Sequence, residues 1–348
     1  MKVALLGLPQ SGKSTLFHAL TGASGSSSKG SFTMGMVDVP DARVDRLAEI
    51  YDPKKKTYAR LEIVEAQTPA KNENRSGMDP AFLNMIKPMD ALLLIVRAFD
   101  GPEMCEPAVD VRNVVSDMIL GDLVQVETRL ERLALDKVKG RKTEPEEIAV
   151  LEKARDILSA DKLLIGDLTV AESPWLRNFA LLTAKPLLVL ANVSDAEIGL
   201  PTAEALALFG LPVAGLPTFV CSAKVDEEIQ DLPPEERAEF QEALGITEPA
   251  LNMVIREVYR ALGLISFLTG GKDEVRAWTI TKGTLAPRAA GAVHSDIEKG
   301  FIRAEIIHYD DFNRLGSEAE ARKTGKYRLE GKEYAVNDGD IINFRFNI

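Results

Sequence analysis

The chain has 348 residues, 45% of them hydrophobic and 27% charged, with a formal net charge of −11. That is enough for two or three domains with sizeable cores, and the composition is that of an ordinary soluble globular protein. The acidic balance argues against non-specific nucleic-acid binding by the whole surface, though not against a local basic patch. No apolar run reaches the length needed to span a bilayer, so no membrane association is expected.

KVALLG (2–7) reads as a short buried strand, and Leu16 and Leu20 belong to a helix after it. The small, polar run GASGSSSKG (22–30) is expected to be a mobile loop, and PKKK (53–56) a turn. Residues 60–65 alternate apolar Leu61 and Ile63 with charge, as a strand does. ALLLIV (91–96), LLVLA (187–191) and TFVC (218–221) read as buried strands. Short apolar strands separated by helical stretches predict an α/β domain with a mostly parallel sheet.

Between 116 and 158 the pattern changes. Ile119, Leu123, Val126, Leu130 and Leu133 recur at spacings of four and three, then a polar break (139–147) precedes Ile148, Leu151 and Leu158. This predicts an inserted antiparallel helical hairpin whose apolar stripe is its own seam, with an exposed tip free to dock a partner. A further amphipathic helix is expected over 248–264. Beyond Lys272 the pattern is one of strands and turns, with Asn337–Asp340 reading as a tight turn, so the tail is expected to be a small β-rich domain.

Gly7-x-x-x-x-Gly12-Lys13-Ser14 has the pattern of a phosphate-binding loop, and it follows a strand and opens a helix. The glycines let the backbone curl around phosphate, and loop and helix N–H groups point at the anion. Pro9, Gln10, Ser11 and Thr15 complete the cradle. Lys13 is placed to reach the β- and γ-phosphates, and the Ser14 hydroxyl to ligate Mg²⁺. Asn192-Val193-Ser194-Asp195 follows one buried strand and Ser222-Ala223-Lys224 follows another. In GTPases an Asn-Lys-x-Asp and a Ser-Ala-Lys at such strand ends hold the base, and strand carboxyl ends are where open α/β sheets bind ligands. The cysteines, Cys105 and Cys221, form no CxxC, so neither a metal site nor a disulfide is expected. The start of the chain has no signal-peptide pattern, and a reducing, cytoplasmic location is expected. His18, His294 and His308 are expected to be structural or surface side chains.

At these residues the chain resembles the YchF / Obg-like ATPase family of P-loop NTPases. GLPQSGKSTLFHALTG is similar to that family's opening, and VDVPDARVDRLAEIYDPKKK to the segment after its switch I. ILGDLVQVETRLERL is similar to its coiled-coil arm, and KPLLVLANVSD and VCSAKVDEEI to its base-binding segments. The stretch from EVRAWTITKG to YAVNDGDIINFRFNI is similar to its C-terminal TGS domain. The resemblance covers nearly the whole chain. It implies a G-domain-like nucleotide-binding domain (1–110 and 175–275), an inserted arm (111–174) and a small β-grasp-like TGS domain (276–348). It also implies slow hydrolysis of ATP or GTP and association with ribosomes or ribosomal RNA through the tail and arm.

The sequence departs from the family at its third nucleotide motif. Where the family has Asp-x-Ala-Gly, this chain has Glu65-Ala66-Gln67-Thr68-Pro69. Glu65, one methylene longer than Asp, is expected to reach the Mg²⁺ site. Thr68 replaces the glycine whose N–H meets the γ-phosphate, and Pro69 removes a donor. The switch I ligand falls at Ser31 or Thr33. The base motif combines a guanine-reading acid, Asp195, with an apolar Val193 where GTPases carry lysine, so ATP and GTP both remain open. So do two functions: a weakly active NTPase, with Lys13 and Glu65 as its catalytic residues, or a nucleotide-sensing adaptor with little hydrolysis. The oligomeric state is not set by the sequence.

Overall fold

The computed structural model describes residues 1–22, 26–29, 32–66, 80–100, 105–198, 200–213, 215–244, 246 and 248–347. The chain begins β1 (Lys2–Leu6), α1 (Lys13–Thr21), β2 (Ser26–Lys29), β3 (Phe32–Val39), α2 (Ala42–Tyr51), β4 (Lys55–Thr57), β5 (Ala59–Ala66), α3 (Pro80–Ile86) and β6 (Ala91–Ala98). It continues through α4 (Pro107–Val138), α5 (Pro145–Ser159), α6 (Leu168–Ala171), β7 (Leu187–Val193), α7 (Thr202–Leu208), β8 (Thr218–Cys221), α8 (Ala223–Asp231), α9 (Pro234–Ala243) and α10 (Ala250–Ala261). Last come β9 (Leu264–Thr269), β10 (Glu274–Thr281), α11 (Ala286–Val293), α12 (Ser295–Lys299), β11 (Phe301–His308), α13 (Tyr309–Leu315), α14 (Glu318–Lys323), β12 (Arg328–Glu330) and β13 (Asp340–Phe346). Two compact units result: Met1–Met36 with Glu62–Val254, and Val37–Leu61 with Ile255–Ile348.

The first unit is built on a seven-stranded sheet in the order β2-β3-β5-β1-β6-β7-β8. From β5 to β8 every neighbouring pair is parallel. Strands buried on both faces read as continuous apolar runs, and β7 is buried at all of its positions. Parallel pairing also puts the carboxyl ends of β1, β5, β6, β7 and β8 on one edge, the edge from which every nucleotide motif departs. The arm is the helical hairpin α4–α5. Val126, Leu133, Leu151, Ala154 and Leu158 close its seam, with Leu123, Leu130 and Ile148 partly buried beside them.

The second unit contains a sheet in the order β12-β11-β13-β9-β10-β4. Its core gathers Phe267, Ile280, Ala289, Ala290, Ile306 and Phe344. Within this unit α2 is tied to the tail. Arg43 forks onto Asp41 and Asp338, at 2.8 Å each. The Tyr51 ring stacks on Phe312 at 5.9 Å, and its hydroxyl donates to Glu318 at 3.0 Å.

Several expectations need correction. The supposed mobile loop at 22–30 contains β2, whose Ser26–Lys29 pairs antiparallel with β3. An edge strand is held by backbone bonds, so it needs no apolar alternation to announce it. Lys55 and Lys56, assigned to a turn, lie in β4, which runs parallel to β10 at the sheet edge where lysines are common. The helix expected over 248–264 ends at Ala261, and Leu264 opens β9, because Gly263 adopts the left-handed φ of 65° that breaks the helix. The tail also carries four helices that a strands-and-turns reading missed. In α11 small Ala286, Ala289 and Ala290 are fully buried, so no line of large apolar residues marks it.

Candidate functional site

The phosphate loop runs from the end of β1 into α1. Gly12 caps α1 with φ 91°, a left-handed geometry, and a Cβ there would lie 2.2 Å from the Asn192 amide nitrogen. Only glycine fits on both counts. At Gly7 a Cβ would lie 2.5 Å from the Ile95 carbonyl and from the Ser11 hydroxyl. Pro9 and Gln10 are exposed on the loop's outer side, Ser11 is buried, and the Ser11 hydroxyl has no protein partner. The first turn of α1 carries no acidic residue, so nothing there opposes an anion at its positive end.

Lys13 turns back over the loop and donates to the Gly7 and Leu8 carbonyls at 2.8 and 3.0 Å. Burial pulls its pKa down to about 8, against the opposing pull of the Glu65 carboxylate. The Ser14 hydroxyl donates to Glu65 Oε1 at 2.5 Å. The register makes this possible, since Glu65 in β5 sits beside Leu5 in β1 and thus beside the start of the loop. The structure therefore brings together the two residues expected to hold Mg²⁺. A hydroxyl and a carboxylate are hard oxygen donors of the kind Mg²⁺ takes, and no group of three His, Cys, Asp or Glu able to hold a metal occurs among the described residues. The glycine cradle, the α1 terminus and this oxygen pair fit a triphosphate with Mg²⁺.

Asn192, at the end of β7, bonds to two loops. Its amide donates to the Ser11 carbonyl at 3.0 Å and its oxygen accepts from the Ala223 N–H at 2.9 Å. It is 5% exposed and stitches the phosphate loop to the Ser-Ala-Lys loop. Asp195 receives Ser222 Oγ and Lys224 Nζ at 3.3 Å each. Ser222 also caps α8 through the Val225 N–H.

These residues line a cavity of about 590 Å³, reached by Gly12, Thr15, Asn192, Val193, Asp195 and Lys224. Phe99, Cys105 and Phe209 also line it and were not singled out from the sequence. Phe99 directly follows the carboxyl end of β6, so the strand-end rule marks its position. Cys105 and Phe209 leave no such signal. Gln67, Thr68, Pro69 and Ser31 lie outside the described residues, and Thr33 lies in β3. A larger cleft of about 820 Å³ runs between Arg129 on the arm and Trp175 after it, and shares no residue with the phosphate loop. Its Arg129 is already paired with Glu147 at 2.7 Å.

Comparisons with known proteins point to one family. Residues 264–347 match the family model YchF-GTPase_C, described as a protein of unknown function (DUF933). "Ribosome-binding ATPase YchF" of Bacillus subtilis is 37% identical over 364 residues, covering 100% of both chains. Its namesake from Escherichia coli O157:H7 is 38% identical over 361 residues, covering 100% of this chain and 99% of the other. Among solved structures, the Schizosaccharomyces pombe YchF GTPase superposes with a TM-score of 0.86 at 31% identity, covering 99% of this chain and 97% of that one.

Proposed function

The chain belongs to the YchF family, and we propose that it binds a purine nucleoside triphosphate with Mg²⁺ at the phosphate loop, hydrolyses it slowly and engages ribosomes. The observation that carries this reading is the Ser14–Glu65 contact beside Lys13, which gathers metal donors and a phosphate-binding cation in one place. Ser14 and Glu65 would hold Mg²⁺, which would supply charge neutralisation to the bound phosphates. Lys13 and the α1 N–H groups bind the phosphates, while Asp195 presents acceptors to the base. Ribosome engagement rests on the names of the bacterial relatives, with the tail (276–348) and the arm (111–174) as the docking elements.

Slow turnover follows from the sequence of switch II. In sequence, Thr68 and Pro69 replace the glycine segment that in the family supplies a γ-phosphate-sensing N–H. The same substitutions support a second reading, in which the chain is a nucleotide-sensing adaptor without turnover. Phosphate release from ATP and from GTP, measured for the wild type and for Lys13→Ala, separates the two. Slow release that disappears in the variant is expected. Background release equal in both leaves the adaptor.

A further inference from the structure

Four of the six residues from Lys137 to Lys142 are basic, in a chain whose net charge is −11. Lys137 ends α4, Lys139, Arg141 and Lys142 lie in the turn between α4 and α5, and all four are exposed. The turn has a definite shape. Gly140 takes the left-handed φ of 71°, its N–H donates to the Lys137 carbonyl at 3.1 Å, and the Arg141 N–H donates to the Asp136 carbonyl at 2.9 Å. This pair of bonds is the glycine-closed helix end of a Schellman motif, so the cations project from an ordered tip.

The local structure does not use up their charge. A lysine in the last turn offsets the helix dipole, but only Lys137 lies in that turn; Lys139, Arg141 and Lys142 lie beyond the helix. Arg141 pairs with Asp136 at 2.8 Å and Lys142 with Glu144 at 2.9 Å, surface contacts of small worth. Lys137 and Lys139 have no carboxylate partner among the described residues. The last buried side chain of α4 is Leu133, and Val138 at the tip is 86% exposed. Helix α4 has 32 residues and so extends roughly 48 Å, carrying the tip to the far end of the arm.

We propose that this tip binds RNA phosphates and is the arm's contact on the ribosome, an assignment that rests on the ribosome reading above. Exposed point cations on a rigid turn suit a phosphate backbone, which is read by charge and shape. The tip is a local basic cluster in a chain of net charge −11.

The test measures retention of purified bacterial ribosomes and of protein-free ribosomal RNA across a salt series. It compares wild type with a variant carrying Lys137→Ala, Lys139→Ala, Arg141→Ala and Lys142→Ala, and with the same four positions filled by the opposite basic residue, lysine for arginine and arginine for lysine. An unchanged thermal melt and unchanged nucleotide binding establish that the alanine variant is folded. Loss of affinity on the order of tenfold or more, a salt slope shallower by about 3, and retention by the charge-preserving variant are expected. Equal affinity and slope in wild type and alanine variant overturn the proposal. Tip-dependent ribosome binding without any retention of protein-free RNA also overturns it, since the tip then meets a ribosomal protein. Tip-dependent retention of RNA without ribosome binding sustains the tip assignment and removes the ribosome reading instead.

Discussion

Asn192 spends both ends of its amide on backbone groups, the Ser11 carbonyl and the Ala223 N–H. In Asn192→Ala both lose their partner in a buried site, at a cost of about 2–3 kcal/mol. A fall in unfolding free energy of that size by urea titration, with weaker nucleotide binding because both loops lose their tie, is the expected result. A stable variant with intact binding would show that the loops hold each other without it. Asp195 differs, because its carboxylate is exposed at the cavity and only loosely held. If it accepts from guanine N–H groups, Asp195→Ala lowers GTP affinity by about tenfold to a hundredfold and leaves ATP little changed, read by competition titration of the two nucleotides. Cys105 lines the same cavity, whereas Cys221 is buried and its thiol pKa is pushed up by burial and by Asp226. Saturating nucleotide is therefore expected to slow alkylation of Cys105 and not to alter the inert Cys221. The phosphate-loop residues were legible in the sequence because backbone geometry demands glycine at Gly7 and Gly12. The walls of the base cavity were not, because Phe209 and Cys105 reach it only through the three-dimensional arrangement of loops.

Helices and strands were legible wherever burial imposes a period. The seam of α4 and α5 is written as apolar spacings of three and four, and β6 and β7 as unbroken apolar runs. Edge strands β2 and β4 escaped because backbone pairing, not side-chain burial, defines them. At this scale α8 carries one unusual group. Asp226 lies in its first turn, and burial pushes the carboxyl pKa up from 3.8 to about 7. Below pH 3.8 both folded and unfolded chains hold this proton. Between about 4 and 7 the folded chain keeps a proton that the unfolded chain has released, so stability falls as pH rises through this window. Above pH 7 the cost of the buried charge is fully present. Asp226→Asn escapes that cost, and its unfolding free energy from urea titration should gain on the wild type between pH 5 and pH 8, by on the order of 2–3 kcal/mol. A difference that stays flat with pH would mean that the N-terminal dipole of α8 keeps the carboxylate ionised in the fold.

The whole molecule is organised by contacts that no local pattern announces. Residues 37–61 follow the phosphate loop in sequence, yet they belong to the same compact unit as 255–348. The strand-and-turn pattern marks the tail beyond Lys272, but it carries no information about a partner some 300 positions away. Arg43 shows what that partnership contains. Burial disfavours its charge, but hydrogen bonds to Asp41 and Asp338 outweigh burial and raise its pKa further, and Asp338 also accepts from the Ser266 N–H at 2.8 Å. A chain ending at 275 loses Asp338, Phe312, Glu318 and the whole of β13, so Arg43 is left half-paired and Tyr51 loses both its stacking ring and its acceptor. Such a truncation does not subtract a self-contained tail. Limited proteolysis read by mass spectrometry should find new cleavage within 37–61 and 255–275, where the full chain resists. The milder Asp338→Ala in the full chain leaves β13 in place and should cost about 2–3 kcal/mol, because it removes one of the two carboxylates held by Arg43 and unpairs a strand N–H together. If the truncated chain proves as resistant as the intact one, residues 37–61 hold their fold without the tail, and the Arg43–Asp338 pair does not bind them to it.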